Sequence, residues 1–264
     1  MKFTKMHGLG NDYLYVYGAV PENIVSLSQR LSERHFGAGS DGMIFIAPSR
    51  IADFSMRIFN ADGSEAKMCG NGIRCVGKYV YDKGFTDKTR LTVETLSGVK
   101  TLKLHLKNGA ADRVTVSMGK AVVSPPQTIE TNGEAVTYVP VSVGNPHAVI
   151  FCENADCAPV EALGPAMERH PAFPDGVNVE FVQVLSPREM RMRVWERGSG
   201  VTLACGTGAS ASTAAAVKCG LCMPDTPITV RLDGGALEIT VAPDGEITMT
   251  GPATFVYEGE TVEC

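Results

Sequence analysis

The sequence predicts a mixed α/β chain made of two pseudo-symmetric domains, and three observations predict it. Residues 56–72 (MRIFNADGSEAKMCGNG) and 192–208 (MRVWERGSGVTLACGTG) read almost alike, and Met56, Arg57, Cys69, Gly70 and Gly72 recur as Met192, Arg193, Cys205, Gly206 and Gly208 at an offset of 136. Gly10-Asn11-Asp12-Tyr13 likewise resembles Gly144-Asn145-Pro146-His147, and Asp41-Gly42 resembles Asp175-Gly176, both at an offset of 134. In each half, short β-branched or aromatic runs alternate with a few helical stretches. Three anchors in one order indicate a whole-domain duplication, since solenoid repeats are much shorter. The expected domains are 1–117, completed by 251–264, and 118–250.

In the first half the expected strands are 13–18, 43–47, 54–59, 91–96, 99–105 and 113–117. Ile24, Leu27 and Leu31 at helical spacing, with Gly37 beyond them, predict a helix over 23–36. Ile73, Val76 and Val80 predict a second over 70–83, which Gly84 can end. The Pro-rich, polar stretch 124–133 reads as a linker. Strands are expected at 136–143, 147–152, 178–185, 190–196, 228–232, 236–241 and 246–250, with hairpin turns at Asp233-Gly234-Gly235 and Asp244-Gly245. The Ala-rich run 206–219 predicts a helix ended by Gly220, and 253–257 a strand returning to one of the domains.

Composition narrows the function. The net charge of −5 carries no block of like charge, so the electrostatic footprint of a nucleic-acid binder is missing. No apolar run approaches the roughly 18 residues of a membrane span, and the start MKFTKMHGLGNDY has no apolar signal region. A cytoplasmic protein that binds neither nucleic acid nor membrane is expected. Eight cysteines without a signal peptide do not imply a disulfide framework. Cys219-Gly-Leu-Cys222 has C-x-x-C spacing but no second ligand pair, so no metal is expected. Residues 37–42 fit G-x-G-x-x-G, but a helix precedes and a strand follows, the reverse of a dinucleotide site.

The chemistry points to the cysteines. Cys69 and Cys205 each fall at a helix N-terminus, where the positive end of the macrodipole favours a thiolate. The neighbouring glycines allow close approach, and the first-turn N–H groups can receive a carboxylate. A single such cysteine is more often a packed core residue. Its recurrence after a duplicated strand suggests two sulfurs on opposite faces of one carbon, a device for inverting a stereocentre.

At this point the chain resembles the diaminopimelate epimerase family. MHGLGNDY, IFNADGSEAKMCGNG, GNPH, GVNVEF, WERGSG and ACGTG match its pattern in order over nearly the full length. The resemblance implies two domains of one fold, each a curled, barrel-like sheet around a central helix, with the active site in the cleft between them. It implies interconversion of LL- and meso-2,6-diaminopimelate without a cofactor, a homodimer, and a place in lysine and peptidoglycan precursor synthesis. Carried over by position, Cys69 and Cys205 resemble the acid–base pair; Gly70 with Asn71, and Gly206 with Thr207, resemble the helix-start residues that bind the reacting carboxylate. Asn11, Asn60, Asn145 and Asn178 look like substrate-binding amides, Glu196 and Arg197 like the pair at the reacting amino group and distal end, and His147 and Glu196 like groups that tune the thiols. Amides suit a zwitterion because they donate and accept without adding charge, and an arginine can hold a carboxylate bidentately. Read alone, each Asn is a turn or cap residue, and His147 a loop histidine. Many family members carry a Gln within the stretch matching 39–42 that contacts the distal end; this chain has Gly42, which leaves those contacts open. Two other readings stand beside this one: a proline, hydroxyproline or histidine racemase or epimerase of the same fold, and a redox or metal-binding protein using Cys219 and Cys222 or the thiols of Cys69 and Cys205.

Overall fold

The computed structural model describes Met1–Thr261; Cys264 and the end of the expected 251–264 segment lie outside the described residues. The chain divides into two compact units, Met1–Val116 with the segment from Gly251 onward, and Ser117–Thr250.

In the first unit the strand ladder runs Thr254–Glu260, Lys2–Gly8, Asn11–Tyr17, Gly42–Pro48, Phe54–Asn60, Arg90–Thr95, Gly98–Lys107 and Ala110–Lys120. Most neighbours are antiparallel. The two parallel pairs, Asn11–Tyr17 with Gly42–Pro48 and Phe54–Asn60 with Arg90–Thr95, are joined by crossovers that each carry a helix. These are α1 (Ile24–Ser32) and α2 (Gly70–Asp82). Strand alternation gives each helix its own face. Leu14, Val16, Met43, Phe45 and Phe59 pack on Ile24, Leu27 and Leu31 of α1. Tyr15 and Ile44 point the other way, toward α2. Both faces are covered, so the central strands read as continuous apolar runs.

Helix α2 packs against the neighbours Lys2–Gly8 and Asn11–Tyr17 and against Gly98–Lys107, which lies far from both in the ladder. One helix can touch all three because the sheet curls around it. Every residue from Gly70 to Gly77 is buried. Arg74 is 0% exposed, its guanidinium donating to the Gly70 carbonyl at 3.1 Å, Asn71 Oδ1 at 2.9 Å and the Pro252 carbonyl at 3.1 Å. Burial pushes the Cys75 thiol up to about 11, against the opposing effects of Tyr15 and Arg74.

The second unit repeats the plan. Its ladder runs Gln127–Thr131, Glu134–Ser142, Pro146–Phe151, Asn178–Ser186, Glu189–Glu196, Ile228–Leu232, Gly235–Val241 and Glu246–Pro252. Its crossovers carry α3 (Val160–Glu168) and α4 (Gly206–Lys218). Val160 and Met167 of α3 join Val179, Phe181 and Trp195 in one core. Gly164 of α3 lies against the indole: an added Cβ would stand 2.5 Å from Trp195 Cβ and Cγ. Helix α4 is buried from Ser210 to Ala216 by small side chains, which lets the surrounding strands approach closely.

The mixed α/β class is the predicted one, and four details differ. The first helix ends at Ser32 because Glu33 turns to φ −58°, ψ 121°, and the Gly39 and Ser40 amides fold back onto the Leu31 and Ser32 carbonyls. The supposed linker 124–133 contains the strand Gln127–Thr131, paired with Glu134–Ser142. Its turn, Asn132-Gly133, has φ of 53° and 79°, the left-handed pair a two-residue hairpin requires. Helix α3, holding Pro165, and the first strand Lys2–Gly8 have no counterpart in the expected elements.

Two outcomes follow. Gly164→Ala gains helix propensity but overpacks the indole, so a net loss of about 1–2 kcal/mol is expected. The fluorescence of Trp195, the single tryptophan, reads it in a urea titration; an unchanged midpoint would show that the indole yields freely. In native protein at about pH 8, Cys75 stays unmodified by iodoacetamide until denaturant is added, because few such thiols are ionised so far below their pKa. Mass spectrometry that found native Cys75 alkylated would contradict this.

Candidate active site

Each unit gathers candidate side chains where its buried helix begins. In the first, the chain leaves Phe54–Asn60, forms the short strand Glu65–Ala66, and reaches Cys69 in extended conformation, φ −138°, ψ 116°. Cys69 is the N-cap of α2, and its Sγ accepts the Gly72 N–H at 3.3 Å. Gly70 and Asn71 occupy the first two helical positions, whose N–H groups point out along the axis. A Cβ on Gly72 would meet Ile44 Cδ1 at 2.7 Å, so that side-chain end would have to shift.

Asn11 reaches the same sulfur: Cys69 Sγ donates to its Oδ1 at 3.3 Å, and its Nδ2 donates to Asp41 Oδ2 at 2.8 Å. Asp41 also accepts from the Asp12 amide and pairs with Arg34, which bridges to Asp12. Burial, then repulsion from Asp12, raises the Asp41 carboxyl. Burial acts the same way on Asp12, but Lys5 and Arg34 outweigh it and hold that carboxyl low. Burial first, and then the charge of Cys69, pushes the Tyr13 hydroxyl up. Asn60 stands at the end of its strand, its Nδ2 donating to Ser64 Oγ at 3.1 Å. Gly42 lies opposite Asn60 with φ +152°, and a Cβ there would sit 2.1 Å from the Phe59 carbonyl oxygen, so no side chain fits that position.

In the second unit Cys205, φ −116°, ψ 111°, is the N-cap of α4 and accepts the Gly208 N–H at 3.3 Å. Gly206 and Thr207 are the first two helical residues, and Thr207 Oγ1 lies 3.5 Å from the sulfur. Asn145 Nδ2 donates to Thr207 Oγ1 at 3.4 Å, and its Oδ1 lies 3.1 Å from His147 Nε2. His147 Nδ1 lies 2.6 Å from Glu180 Oε1, both side chains being fully buried. Asn178 donates to the Pro146 carbonyl at 2.9 Å and accepts the Arg197 N–H at 3.1 Å, which fixes the turn after Glu196. The Arg197 side chain is exposed and donates to the Asp175 carbonyl at 2.8 Å.

The two carboxylates matter most. Thr202 donates its hydroxyl to Glu196. Burial raises the Glu196 carboxyl, and Glu180 adds to it against the hydrogen bonds from Thr202 and Cys205. Burial, then Glu196 and Glu180, drives the Cys205 thiol well above the ordinary range, against the hydrogen bonds from Thr207 and Gly208. The thiolate-favouring helix end expected from sequence is therefore outweighed at Cys205.

Within the first unit the structure brings together Asn11, Cys69, Gly70 and Asn71, and places Asn60 at the neighbouring strand end. Within the second it gathers Asn145, His147, Glu196, Cys205, Gly206 and Thr207, with Asn178 and Arg197 behind them. Sequence reasoning missed Asp41 with Arg34, Arg74, Thr202 and Glu180. Glu180 carries a visible signal: an acidic residue inside the otherwise apolar NVEFV run of a buried strand. Cys219, the C-cap of α4, is exposed, while Cys222 is buried with its Sγ 3.9 Å from the Ser186 carbonyl. Among the described residues no helix is long and apolar enough to cross a membrane.

Residues 3–124 and 139–256 match the sequence profile of diaminopimelate epimerase. A diaminopimelate epimerase from Acetivibrio thermocellus is 49% identical, covering 98% of this chain and 98% of the relative. One from Parabacteroides distasonis is 51% identical, covering 98% and 97%. Among solved structures, a probable proline racemase from Agrobacterium radiobacter K84 superposes with a TM-score of 0.76 at 18% identity, covering 100% of this chain and 93% of that one. A hydroxyproline epimerase from Agrobacterium vitis gives 0.74 at 19%, covering 99% and 90%. At such identities the structures establish a shared fold, whereas the full-length matches near 50% identity establish the closer relationship: the chain belongs to the diaminopimelate epimerase family.

Proposed function

We propose that this protein is an isomerase that interconverts LL- and meso-2,6-diaminopimelate by two-base proton transfer, with no cofactor. The observation that carries the reading is the repeated cysteine N-cap, Cys69 on α2 and Cys205 on α4, in a chain of this family. The two units act as the two domains of a duplicated enzyme, each supplying one thiol.

One cysteine, as thiolate, takes the α-hydrogen as a proton and becomes a thiol. The C–H electron pair stays on the α-carbon and spreads into its carboxylate. The other cysteine, as thiol, gives its proton to the opposite face and becomes the thiolate. Nothing is oxidised or reduced, and the thiols exchange roles. The α-proton is weakly acidic, so the carboxylate must be stabilised as charge develops. The helix-start N–H groups of Gly70 and Asn71, and of Gly206 and Thr207, suit that task. Asn11, Asn60, Asn145 and Asn178 serve the zwitterionic substrate or the groups that hold it, Glu196 the reacting ammonium, and Arg197 the distal carboxylate. His147 and Glu196 tune the thiol beside them. The family relationship also supports a cytoplasmic homodimer working in lysine and peptidoglycan precursor synthesis.

The test is incubation with LL-diaminopimelate in D₂O, with reductant and no added cofactor, followed by NMR. The α-proton signal should fade as the meso isomer appears, with a bell-shaped pH dependence from one thiol and one thiolate. Cys69→Ser and Cys205→Ser should each lower kcat by about 10²–10⁴-fold with the fold intact. Absence of exchange from folded, reduced protein would refute the substrate, and a full-speed serine variant would refute the base pair.

A further inference from the structure

The residue lying over the first turn of the buried helix differs in kind between the units. A Cβ on Gly72 would meet Ile44 Cδ1 at 2.7 Å, and one on Gly208 would meet Glu180 Oε1 at 2.8 Å. Gly72 and Gly208, like Ile44 and Glu180, are 136 residues apart, and strand register supports that offset here in place of the 134 read from Asp41-Gly42 and Asp175-Gly176, since Met43 pairs with Phe59 as Val179 pairs with Trp195. One position of the duplicated fold thus holds an aliphatic side chain in the first unit and a carboxylate in the second. The same point at Gly208 is 3.2 Å from Cys205 Sγ, so the Glu180 oxygen stands within about 6 Å of that sulfur.

Glu180 is 0% exposed, and its Oε2 has no hydrogen-bond partner among the described residues. Leaving a buried carboxylate oxygen unpaired is costly. A role that was only structural would be better met by an amide or an aliphatic residue, as Ile44 shows in the other unit.

The hydrogen bonds running from Glu180 have a direction. Asn145 points its amide Nδ2 at Thr207 Oγ1, so its Oδ1 faces His147 Nε2 as an acceptor and that nitrogen carries a hydrogen. The ring's other nitrogen lies 2.6 Å from Glu180 Oε1, and one proton must sit between them. Imidazole is the stronger base of the two groups, so the proton belongs on Nδ1, giving an imidazolium beside a carboxylate. Thr207 Oγ1 accepts from Asn145, which frees its own hydrogen to point at Cys205 Sγ, 3.5 Å away.

We infer that Glu180 is a positioning residue for the reaction proposed above, on which this inference rests. It holds the His147 ring doubly protonated, through that ring fixes the Asn145 amide, and through Asn145 and Thr207 aims a hydroxyl donor at the Cys205 sulfur. Its own charge, close to that sulfur, favours the thiol as the resting form. The other groups facing Cys205 are few. Glu196 comes from the strand Glu189–Glu196 and α4 itself offers Thr207, while His147 of Pro146–Phe151 stands on Glu180 and Asn145 and the Ser210 hydroxyl is turned to the Gly206 carbonyl. Glu134–Ser142 and Gly235–Val241, also packed on α4, bring the buried apolar Val139, Val141, Leu237 and Ile239.

The experiment uses full-length protein, reduced and without substrate, as wild type, Glu180→Gln and Glu180→Asp. The His147 ring nitrogens are followed by ¹⁵N NMR and cysteine Cβ carbons by ¹³C NMR, from about pH 6 to about pH 10. Wild-type His147 should show two protonated nitrogens at neutral pH. In Glu180→Gln the new amide can donate to a neutral ring, so Nδ1 should appear bare; the carboxylate and imidazolium charges are then lost together, and because the carboxylate is the one that bears on Cys205, its midpoint should fall by about a few tenths of a pH unit. The limb of the epimerase pH profile that requires Cys205 as thiol should move the same way. Glu180→Asp should restore protonated Nδ1. A bare Nδ1 in the wild type overturns the inference, even if a variant fails to fold. So does a Glu180→Gln protein in which ring and midpoint match the wild type. If wild-type protein epimerises nothing, the substrate assignment fails, yet the two spectra still decide the role of Glu180.

Discussion

A helix enclosed by its own sheet cannot turn to water for the amides of its first turn, and the rest of each unit depends on how that need is met. In α2 and α4 sulfur meets it for one amide each, with Cys69 and Cys205 accepting the N–H of Gly72 and Gly208 at 3.3 Å. The cap requires an extended residue at the end of a strand and a short side chain turned back over the helix. Glycine at the third helical position leaves room for the side-chain end of Ile44 or Glu180, which closes in from the sheet. On the proposed mechanism the reacting atom is thus part of the scaffold. Replacing it alters the helix start as well as the chemistry, which is why serine, itself a good N-cap, is the informative replacement.

The backbone repeats, but the electrostatics do not. In the first unit Asn11 is held by Asp41 and turns its carbonyl oxygen toward sulfur. In the second, Asn145 is held by His147 and turns its amino group toward Thr207. Magnitudes explain why the helix end does not dominate at Cys205. A helix terminus contributes roughly 0.3–1 kcal/mol to a nearby charge. Burying an ion costs several kcal/mol even after relaxation, and two carboxylates nearby add to it. A helix start marks where a thiol can act; the surrounding strands decide how readily it ionises.

Much of this was legible in the sequence, for identifiable reasons. The cysteines and their glycines show because the cap motif is local and occurs twice. Helix α3 was hidden by Gly164 and Pro165, yet the duplication held the clue: Ile24 and Val160, where α1 and α3 begin, are 136 residues apart. The strand Gln127–Thr131 was hidden by flanking prolines, although Asn132-Gly133 is a hairpin signal in its own right. Asp41, Arg34 and Thr202 were illegible because their roles lie in side-chain pairings across loops, Arg34 with Asp41 and Thr202 with Glu196, that no regular spacing marks. Gly42 is a packing requirement, as the Phe59 carbonyl leaves no space for a side chain.

The first and last strands of the described chain lie side by side. Lys2–Gly8 pairs with Thr254–Glu260, and the Met1 amino group reaches Thr261. The unit that contains the amino terminus therefore lacks an outer strand until the far end of the polypeptide has been made. The Ser117–Thr250 unit, though synthesised later, is continuous and has all its strands before then. During synthesis the usual order, in which the earlier segment completes first, is reversed: the later unit can close while the earlier one waits with the edge of Lys2–Gly8 open.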